Sequence, residues 1–519
     1  MTTPRPRPST HTPRSLRELG EQAKWSWLGD PGDAQATGVS LSSSAIEPGD
    51  IFVAVAGRSA HGATYVDQAI AAGAVAILTD PDGGMLLGTD PPIVPVAIGD
   101  NPRAALGSLA RTLYDPGVAL PPVLAVTGTN GKTSVVFYLD AIARAMGLTS
   151  ALSNTHERRI GDQSVTTPLT TPEAPELQAL LALAAERGVE LMALEASAQA
   201  IERDRLDGLR VAVAGFTNLS HDHLEDFGDM DTYFRTKAAL FSPRYSDTAV
   251  ISLETPWGER LARETEIPAV TLGHREQDPT WVLDILERSV DGTSFRLTGP
   301  EGVIDTSIPS LGDHMVRNAA LALVMVVEAS YSLDAVSAAV GEQQGGIQRV
   351  VPGRIEKVSG QAPISVFVDA GRSPDAYQHT LSTVAEVTEG NLIVVCGTSG
   401  NRDRSKRAAM GEIAATIAAH VVVSDDDPRV EDPAQIRADV ISGVTQVEGA
   451  SFDEVPSQEL AIRRAVAIAE PGDSIVWIGP GSQSYRDVGG QREPFSARHD
   501  AQLALVEAGY LDAAKPVAS

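Results

Sequence analysis

The stretch VLAVTGTNGKTSVVFYL, Val123 to Leu139, decides the fold. Val123 to Val126 is a short apolar, β-branched run, which predicts a buried strand. Gly128 and Gly131 follow, and glycine lets a backbone bend tightly and approach a ligand. Lys132 supplies a point charge, and the helix predicted after it presents free N–H groups to an anion. Thr133 or Ser134 can place a hydroxyl on a magnesium ion. The strict phosphate-loop pattern asks for glycine where Val126 stands, so this is a variant loop. Strand, turn and helix in this order point to phosphate binding. Kinases, ATPases, motors and ligases all bind phosphate in this way, so the reaction stays open.

The chain has 519 residues, enough for about three domains of ~150 residues. It is 43% hydrophobic and carries a formal net charge of −27. That charge argues against a nonspecific nucleic-acid or anionic-membrane binder. The single cysteine, Cys396, excludes an internal disulfide and a multi-cysteine metal site. It lies in LIVVCG and reads as a packed core thiol. No apolar run approaches the ~20 residues of a membrane span. The opening MTTPRPRPSTHTPR is basic and proline-rich without the apolar region of a secretory signal. It reads as a disordered tail, residues 1–14, on a cytoplasmic enzyme.

Three blocks follow. Residues 15–120 mix short strands (DIFVAVAG, AVAILTD) with the helical pattern YVDQAIAAGA, and LYDPGVALPP, Leu113 to Pro122, reads as a linker. Residues 121–350 hold the phosphate loop, the strands VELMALE and VAVAGFTN, β-like alternation near TWVLDILERSV and TSFRLTG, and a helical pattern from His314 to Ala329. VPGR, Val351 to Arg354, marks the next boundary. Residues 351–519 alternate strands (ISVFVD, LIVVCG, HVVVSD, SIVWIG) with helical patterns, which predicts a parallel sheet covered by helices. The acidic run SDDDPRVEDP falls just after a strand, where α/β proteins place ligands.

Two further stretches carry chemistry. Glu195 closes the strand VELMALE, and a carboxylate there can hold a magnesium ion that bridges phosphates. Taken alone it reads as a cap or an ion-pair partner. FTNLSHDHLEDFGDMDTYFRTKAALF starts at another strand end and runs into a helix with Lys237 near its middle. His223 is a candidate metal ligand in the same stretch.

With these residues together the chain resembles the Mur ligases, and most the MurE type that adds the third amino acid to UDP-N-acetylmuramoyl-dipeptide. The family pattern TGTNGKT matches Thr127 to Thr133, TNLSRDHLD resembles Thr217 to Glu225, and TTPE matches Thr170 to Glu173. The lysine that the family carbamylates matches Lys237, PGR matches Pro352 to Arg354, and DDNPR resembles Asp425 to Arg429. The similarity runs from about Gly38 to about Ala508.

The resemblance implies an α/β, three-domain architecture: an N-terminal UDP-gripping domain, a central phosphate-loop ATPase domain and a C-terminal, dinucleotide-binding-like domain that brings the amino acid. It implies ATP at Thr127, Gly128, Thr129, Asn130, Gly131, Lys132, Thr133, Asn318 and Arg354, and magnesium at Thr133, Glu195, His223 and a carbamylated Lys237. It assigns catalytic roles to Lys132, His223 and Lys237. The UDP-muramoyl substrate falls to Ser43, Thr170, Thr171, Ser197, Arg203 and Arg205, with Arg58, Ser59 and Ala60 in the other uridine-side loop. The amino acid falls to Arg402, Asp426, Asp427, Arg429, Gly479 and Gln483. The partners it implies are small molecules only, and the enzyme is expected to be a monomer.

Five motifs depart from the family. LDSR becomes LSSS at Leu41 to Ser44, DYAHTPD becomes DAGRSPD at Asp369 to Asp375, and EVSSH becomes EASAQ at Glu195 to Gln199. In the C-terminal block DNPR becomes DDPR and GKGHE becomes GPGSQ, so Asp427 replaces Asn and Gln483 replaces Glu. Arg429 can still clamp a carboxylate, which slightly favours meso-diaminopimelate over lysine or ornithine as the added amino acid. A divergent nucleotide-binding protein and a ligase with another acceptor remain the alternatives. Folylpolyglutamate synthetase shares the loop but is disfavoured by the block preceding it.

Overall fold

Five short strands open the fold in the computed structural model, which describes residues 7, 8, 12–57, 60–88, 92–164, 169–221 and 224–512. They are β1 (Ser26–Leu28), β2 (Gly38–Ser40), β3 (Asp50–Ala54), β4 (Ala76–Thr79) and β5 (Val96–Ile98). Their order is β1-β5-β4-β3-β2, with β1 antiparallel and the rest parallel. Ile51 and Val53 face one core and Phe52 and Ala54 the other. A strand covered on both faces reads as a continuous apolar run.

The tail reading of residues 1–14 needs correction at two points. Arg7 forks onto Asp50, with both bonds 2.6 Å long, and Arg14 pairs with Ala36 in a two-stranded ladder. Asp50 is fully buried, and a buried carboxylate needs a partnered cation. Composition made this stretch look solvated, but that requirement draws Arg7 in.

The central sheet is built around β6 (Val123–Thr127). Its other strands are β7 (Ser150–Ser153), β8 (Arg158–Ile160), β9 (Gln163–Ser164), β10 (Leu191–Glu195), β11 (Val211–Phe216), β12 (Ser246–Ser252), β13 (Ala269–Gly273), β14 (Trp281–Ser289), β15 (Gly292–Gly299) and β16 (Gly302–Ile308). The order is β9-β8-β7-β10-β6-β11-β12-β13-β14-β15-β16. From β7 to β14 the neighbours are parallel, and β6 lies between β10 and β11; sheets of this kind bind ligands at the C-terminal ends of their strands. The helical pattern at His314 to Ala329 forms a helix, Asp313–Glu328.

The C-terminal sheet comprises β17 (Glu356–Lys357), β18 (Ser365–Asp369), β19 (Leu392–Cys396), β20 (His420–Val423), β21 (Phe452–Glu454) and β22 (Ser474–Ile478). The order is β17-β18-β22-β19-β20-β21, parallel apart from β17. Cys396 is fully buried there, and burial pushes its thiol up to about 12. By internal contacts the chain forms two compact units. One holds Met1–Leu283, Leu297–Ile304 and Arg317–Val340; the other holds Asp284–Arg296, Asp305–Val316 and Gly341–Ser519. Among the described residues no helix is long and apolar enough to cross a membrane.

Candidate active site

The phosphate loop joins β6 to the helix Lys132–Ala145. Gly128 has φ +151° and Gly131 φ +88°, a region that disfavours any side chain. Space imposes the same choice. A Cβ on Gly128 would strike the Thr217 hydroxyl, and one on Gly131 the Asn318 carboxamide. Asn318 is itself buried, and its helix thereby braces the loop. Gly131 caps the following helix without a side-chain bond, which leaves that end's N–H groups available to an anion.

The TNLS segment supports the loop from the other side. Thr129 N–H donates to Asn218 O (2.9 Å) and Asn130 N–H to Asn218 Oδ1 (3.1 Å). Thr217 Oγ1 donates to Asn130 O (2.7 Å), and Ser220 N–H donates to Thr129 Oγ1 (3.0 Å). The sequence analysis assigns no role to Thr217 or Asn218 themselves. Thr217 and Asn218 shape the loop itself.

Charged groups gather at the same strand ends. Glu195, at the end of β10, is buried and accepts from Thr133 Oγ1 (2.9 Å), Thr155 N–H (3.2 Å) and Thr155 Oγ1 (3.3 Å). Thr133 and Glu195 are hard oxygen donors in mutual reach, which suits magnesium. Among the described residues no group of three or more His, Cys, Asp or Glu side chains is gathered for a metal. His223 lies outside the described residues, as do Arg58 and Ser59.

Lys132 Nζ donates back to Gly128 O (3.1 Å) and Thr129 O (2.8 Å). Lys237 is 1% exposed, lies over the Tyr233 ring, and donates to the same Gly128 O at 2.7 Å. The expectation that Lys237 stands near the middle of its helix is corrected. The helix is Met230–Ala238, and Leu240 N–H closes onto Lys237 O, so the lysine occupies the last turn.

The residues expected to hold the muramoyl-peptide cluster beside Glu195. Thr171 Oγ1 donates to Glu195 O (2.8 Å) and accepts Ser197 N–H (3.1 Å), while Ser197 caps the helix Ala198–Glu202. Thr170 Oγ1 is 3.1 Å from Thr155 Oγ1. Arg205 donates to Thr171 O (3.3 Å) and pairs with Glu173 at 3.0 Å. Arg203 is half-buried at the end of that helix. Ser43 belongs to the N-terminal sheet region and donates to Gln68 Oε1 (3.1 Å); Ala60 is exposed.

In the C-terminal unit, Arg354 and Arg402 are exposed. Asp426, Asp427, Arg429, Gly479 and Gln483 converge at the ends of β20 and β22. Arg429 takes φ +55°, and its N–H donates to Asp487 O (2.9 Å), whose own N–H donates to Asp427 Oδ1 (3.2 Å). Arg429 Nε is buried with no hydrogen-bond partner among the described residues. Burial pushes the Asp426 carboxyl above the usual range, with Arg372 opposing and Asp427 adding to the shift. Arg407 is fully buried and grips Glu431 and Asp439. It holds Glu431 down to about 2, and Glu431 also accepts Asn401 N–H (2.8 Å). Sequence reading missed Arg372. It donates to Gly479 O (2.9 Å) and Gln483 Oε1 (2.5 Å). The altered DAGRSPD motif was the available signal.

Comparison with known proteins covers most of each of the three larger sheets. Residues 35–114 match the Mur ligase family catalytic domain, residues 126–326 the Mur ligase middle domain, and residues 353–481 the Mur ligase glutamate ligase domain. The chain is 45% identical over 517 residues to a UDP-N-acetylmuramyl-tripeptide synthetase of Leifsonia xyli subsp. xyli, covering 98% of this chain and 100% of that protein. The chain belongs to the Mur ligase family. This Mur ligase is also 38% identical over 503 residues to a UDP-N-acetylmuramoyl-L-alanyl-D-glutamate–2,6-diaminopimelate ligase of Streptomyces coelicolor, covering 95% of this chain and 96% of that one. A solved structure of a diaminopimelate ligase of the same name matches with a TM-score of 0.73 at 27% identity, over 93% of this chain and 97% of that chain. MurF from Thermotoga maritima in complex with ADP shares the fold, with a TM-score of 0.58 at 18% identity over 91% of this chain and 96% of that one. The three-domain Mur ligase architecture expected from the motifs is therefore the architecture found.

Proposed function

We propose that this Mur ligase adds a diamino acid, meso-diaminopimelate in preference to lysine or ornithine, to UDP-N-acetylmuramoyl-L-alanyl-D-glutamate in cytoplasmic peptidoglycan precursor synthesis. The named relatives support the reaction. The observation that carries it is the convergence of Lys132, Thr133, Glu195 and Lys237 on one phosphate loop. In this reading the enzyme acts as a monomer on small molecules. Residues 15–120 bind UDP, 121–350 bind ATP and 351–519 bring the amino acid.

A peptide carboxylate is a poor electrophile because its leaving group would be oxide. Its oxygen attacks the γ-phosphorus of ATP, the bond to ADP breaks, and an acyl phosphate results. The incoming amine then attacks the acyl carbon, loses a proton, and expels phosphate. Both reactants of the first step are anionic, so the site must neutralise charge. Lys132 does this at the phosphates, with Thr127, Gly128, Thr129, Asn130, Gly131 and Asn318 completing the nucleotide site. Bound magnesium, held by Thr133, Glu195, His223 and Lys237, would supply further positive charge to the phosphates. Thr170, Thr171, Ser197, Arg203, Arg205 and Ser43 orient the UDP-linked acceptor.

Lys237 fits this scheme as a carbamate. Two ammonium groups on the one Gly128 carbonyl repel each other, and an unmodified cation repels a metal. The Lys237 nitrogen bonds to the carbon of carbon dioxide and gives up two protons, so the cation becomes an anionic oxygen donor.

The amino-acid preference rests on Arg429, whose buried, unpartnered Nε suits a second carboxylate. The test is ligation with equal meso-diaminopimelate, L-lysine and L-ornithine, with products resolved by mass. Diaminopimelate should dominate, and Arg429→Ala should lower its kcat/KM by about 10- to 100-fold, the worth of a charged hydrogen bond. Equal lysine or ornithine incorporation, with indifference to Arg429→Ala, would overturn the assignment.

A further inference from the structure

Asp427 and Gln483 lie 56 positions apart, yet Gln483 Nε2 donates to Asp427 Oδ2 at 3.1 Å. The two departures from the family motif are therefore one contact. Where the motifs carry an amide on the first loop and a carboxylate on the second, this chain carries the carboxylate first and the amide second. The pair keeps its formal charge and reverses its direction. A glutamine can be flipped end for end, so something must choose which end meets Asp427. Arg372 makes that choice. Its Nη2 donates to Gln483 Oε1 at 2.5 Å and its Nε to Gly479 O at 2.9 Å. A guanidinium has no acceptor, so only the amide oxygen can face it, and the amide nitrogen is turned to Asp427. Lys406 Nζ donates to Arg372 O (2.8 Å), which fixes the backbone from which Arg372 reaches.

Arg372 also sets the local charge. Its Nη2 is 3.8 Å from Asp426 Oδ2 and 3.9 Å from Asp427 Oδ2. Burial pushes the Asp426 carboxyl up, and Arg372 opposes that shift. Arg429 follows two residues after Asp427. The Arg372 guanidinium thus stands as a fixed cation beside both carboxylates. Such a balance favours an end group carrying both charges over a bare ammonium.

We propose that Arg372 is a positioning and specificity-determining residue for the incoming amino acid, acting through Gln483 and Asp427 to favour a zwitterionic distal group over a lone amine. The inference rests on the reading of this cluster as the amino-acid site.

The test is the same three-way competition, run on the parent enzyme and on Arg372→Ala, Arg372→Lys, Gln483→Leu and the Arg372→Ala/Gln483→Leu double variant. In Arg372→Ala the ratio of lysine to diaminopimelate kcat/KM should rise by about tenfold, or ~1.4 kcal/mol. The KM values for ATP and the UDP-dipeptide should stay within about twofold, a split that general loss of structure does not produce. Arg372→Lys keeps the charge but lacks the fork, and should shift the ratio the same way. Gln483→Leu should shift it similarly, and the double variant should show no further shift, because the two residues act as one unit. An unchanged ratio in Arg372→Ala, parental selectivity in Arg372→Lys, or additive shifts in the double variant would overturn the proposal. If Arg372→Ala does not fold, Gln483→Leu and Arg372→Lys decide it by the same ratio. A parent enzyme that ligates none of the three amino acids overturns the underlying reading instead, and the inference with it.

Discussion

Lys132→Ala removes tripeptide formation, with turnover falling by about three orders of magnitude, near the upper end for loss of one preorganised electrostatic group. The lysine leads the first helical turn of the loop, and its Nζ already reaches the carbonyls of Gly128 and Thr129. When a γ-phosphoryl group is attacked by a carboxylate, negative charge accumulates on both sides of the transfer. A fixed cation lowers that barrier more than it strengthens ground-state binding. The substitution leaves the β6 core untouched, because the packing beneath the loop comes from Val123 to Val126, all buried. Phosphate release and product mass should therefore collapse while the unfolding transition stays in place. Near-normal turnover in a folded variant would show that this loop is not the ATP site.

Lys237→Ala should be as damaging and, unlike Lys132→Ala, partly reversible. Alanine leaves a small void beside Tyr233 and Gly128, at a place where the native side chain is almost wholly enclosed. If the working group is a carbamate, a short carboxylic acid can enter that void and restore an anionic oxygen. Activity should fall by about 10²-fold or more and recover in part with added formate or acetate. The parent enzyme should weaken when carbon dioxide is stripped from the buffer. Full activity without carbon dioxide, or an alanine variant that short acids do not rescue, would argue that the lysine serves as a plain ammonium group.

Much of the fold was legible because its signals are local. A β-branched run, two glycines and a lysine within ten positions marked strand, loop and helix, and the apolar period from His314 onward marked the helix that carries Asn318. Glu195 was legible as a strand-end carboxylate. Contacts made across the chain were not. Arg372 meets Gln483 111 positions later, and Thr217 meets Asn130 87 positions earlier. No periodicity encodes such pairs. The same motif reading that marked DAGRSPD and GPGSQ as losses could not see that Arg372 and Gln483 touch. Arg407 was invisible for a different reason. An arginine in a helical pattern reads as solvated, and only the fold shows it enclosed with Glu431 and Asp439.

The fork from Arg7 to Asp50 has a practical edge for anyone preparing this enzyme. The proline-rich start invites trimming, and a natural place to cut is just before Arg14. Such a cut would strand Asp50 inside the first sheet, with the Glu47 N–H (3.0 Å) still bonded to it but its guanidinium gone. The shortened protein should melt several degrees lower, express poorly and clump on storage, while an otherwise identical preparation that retains Arg7 keeps its shelf life. Equal melting curves for the two preparations would show that the first residues are baggage after all. Otherwise, an affinity handle is better attached at the far end of the chain.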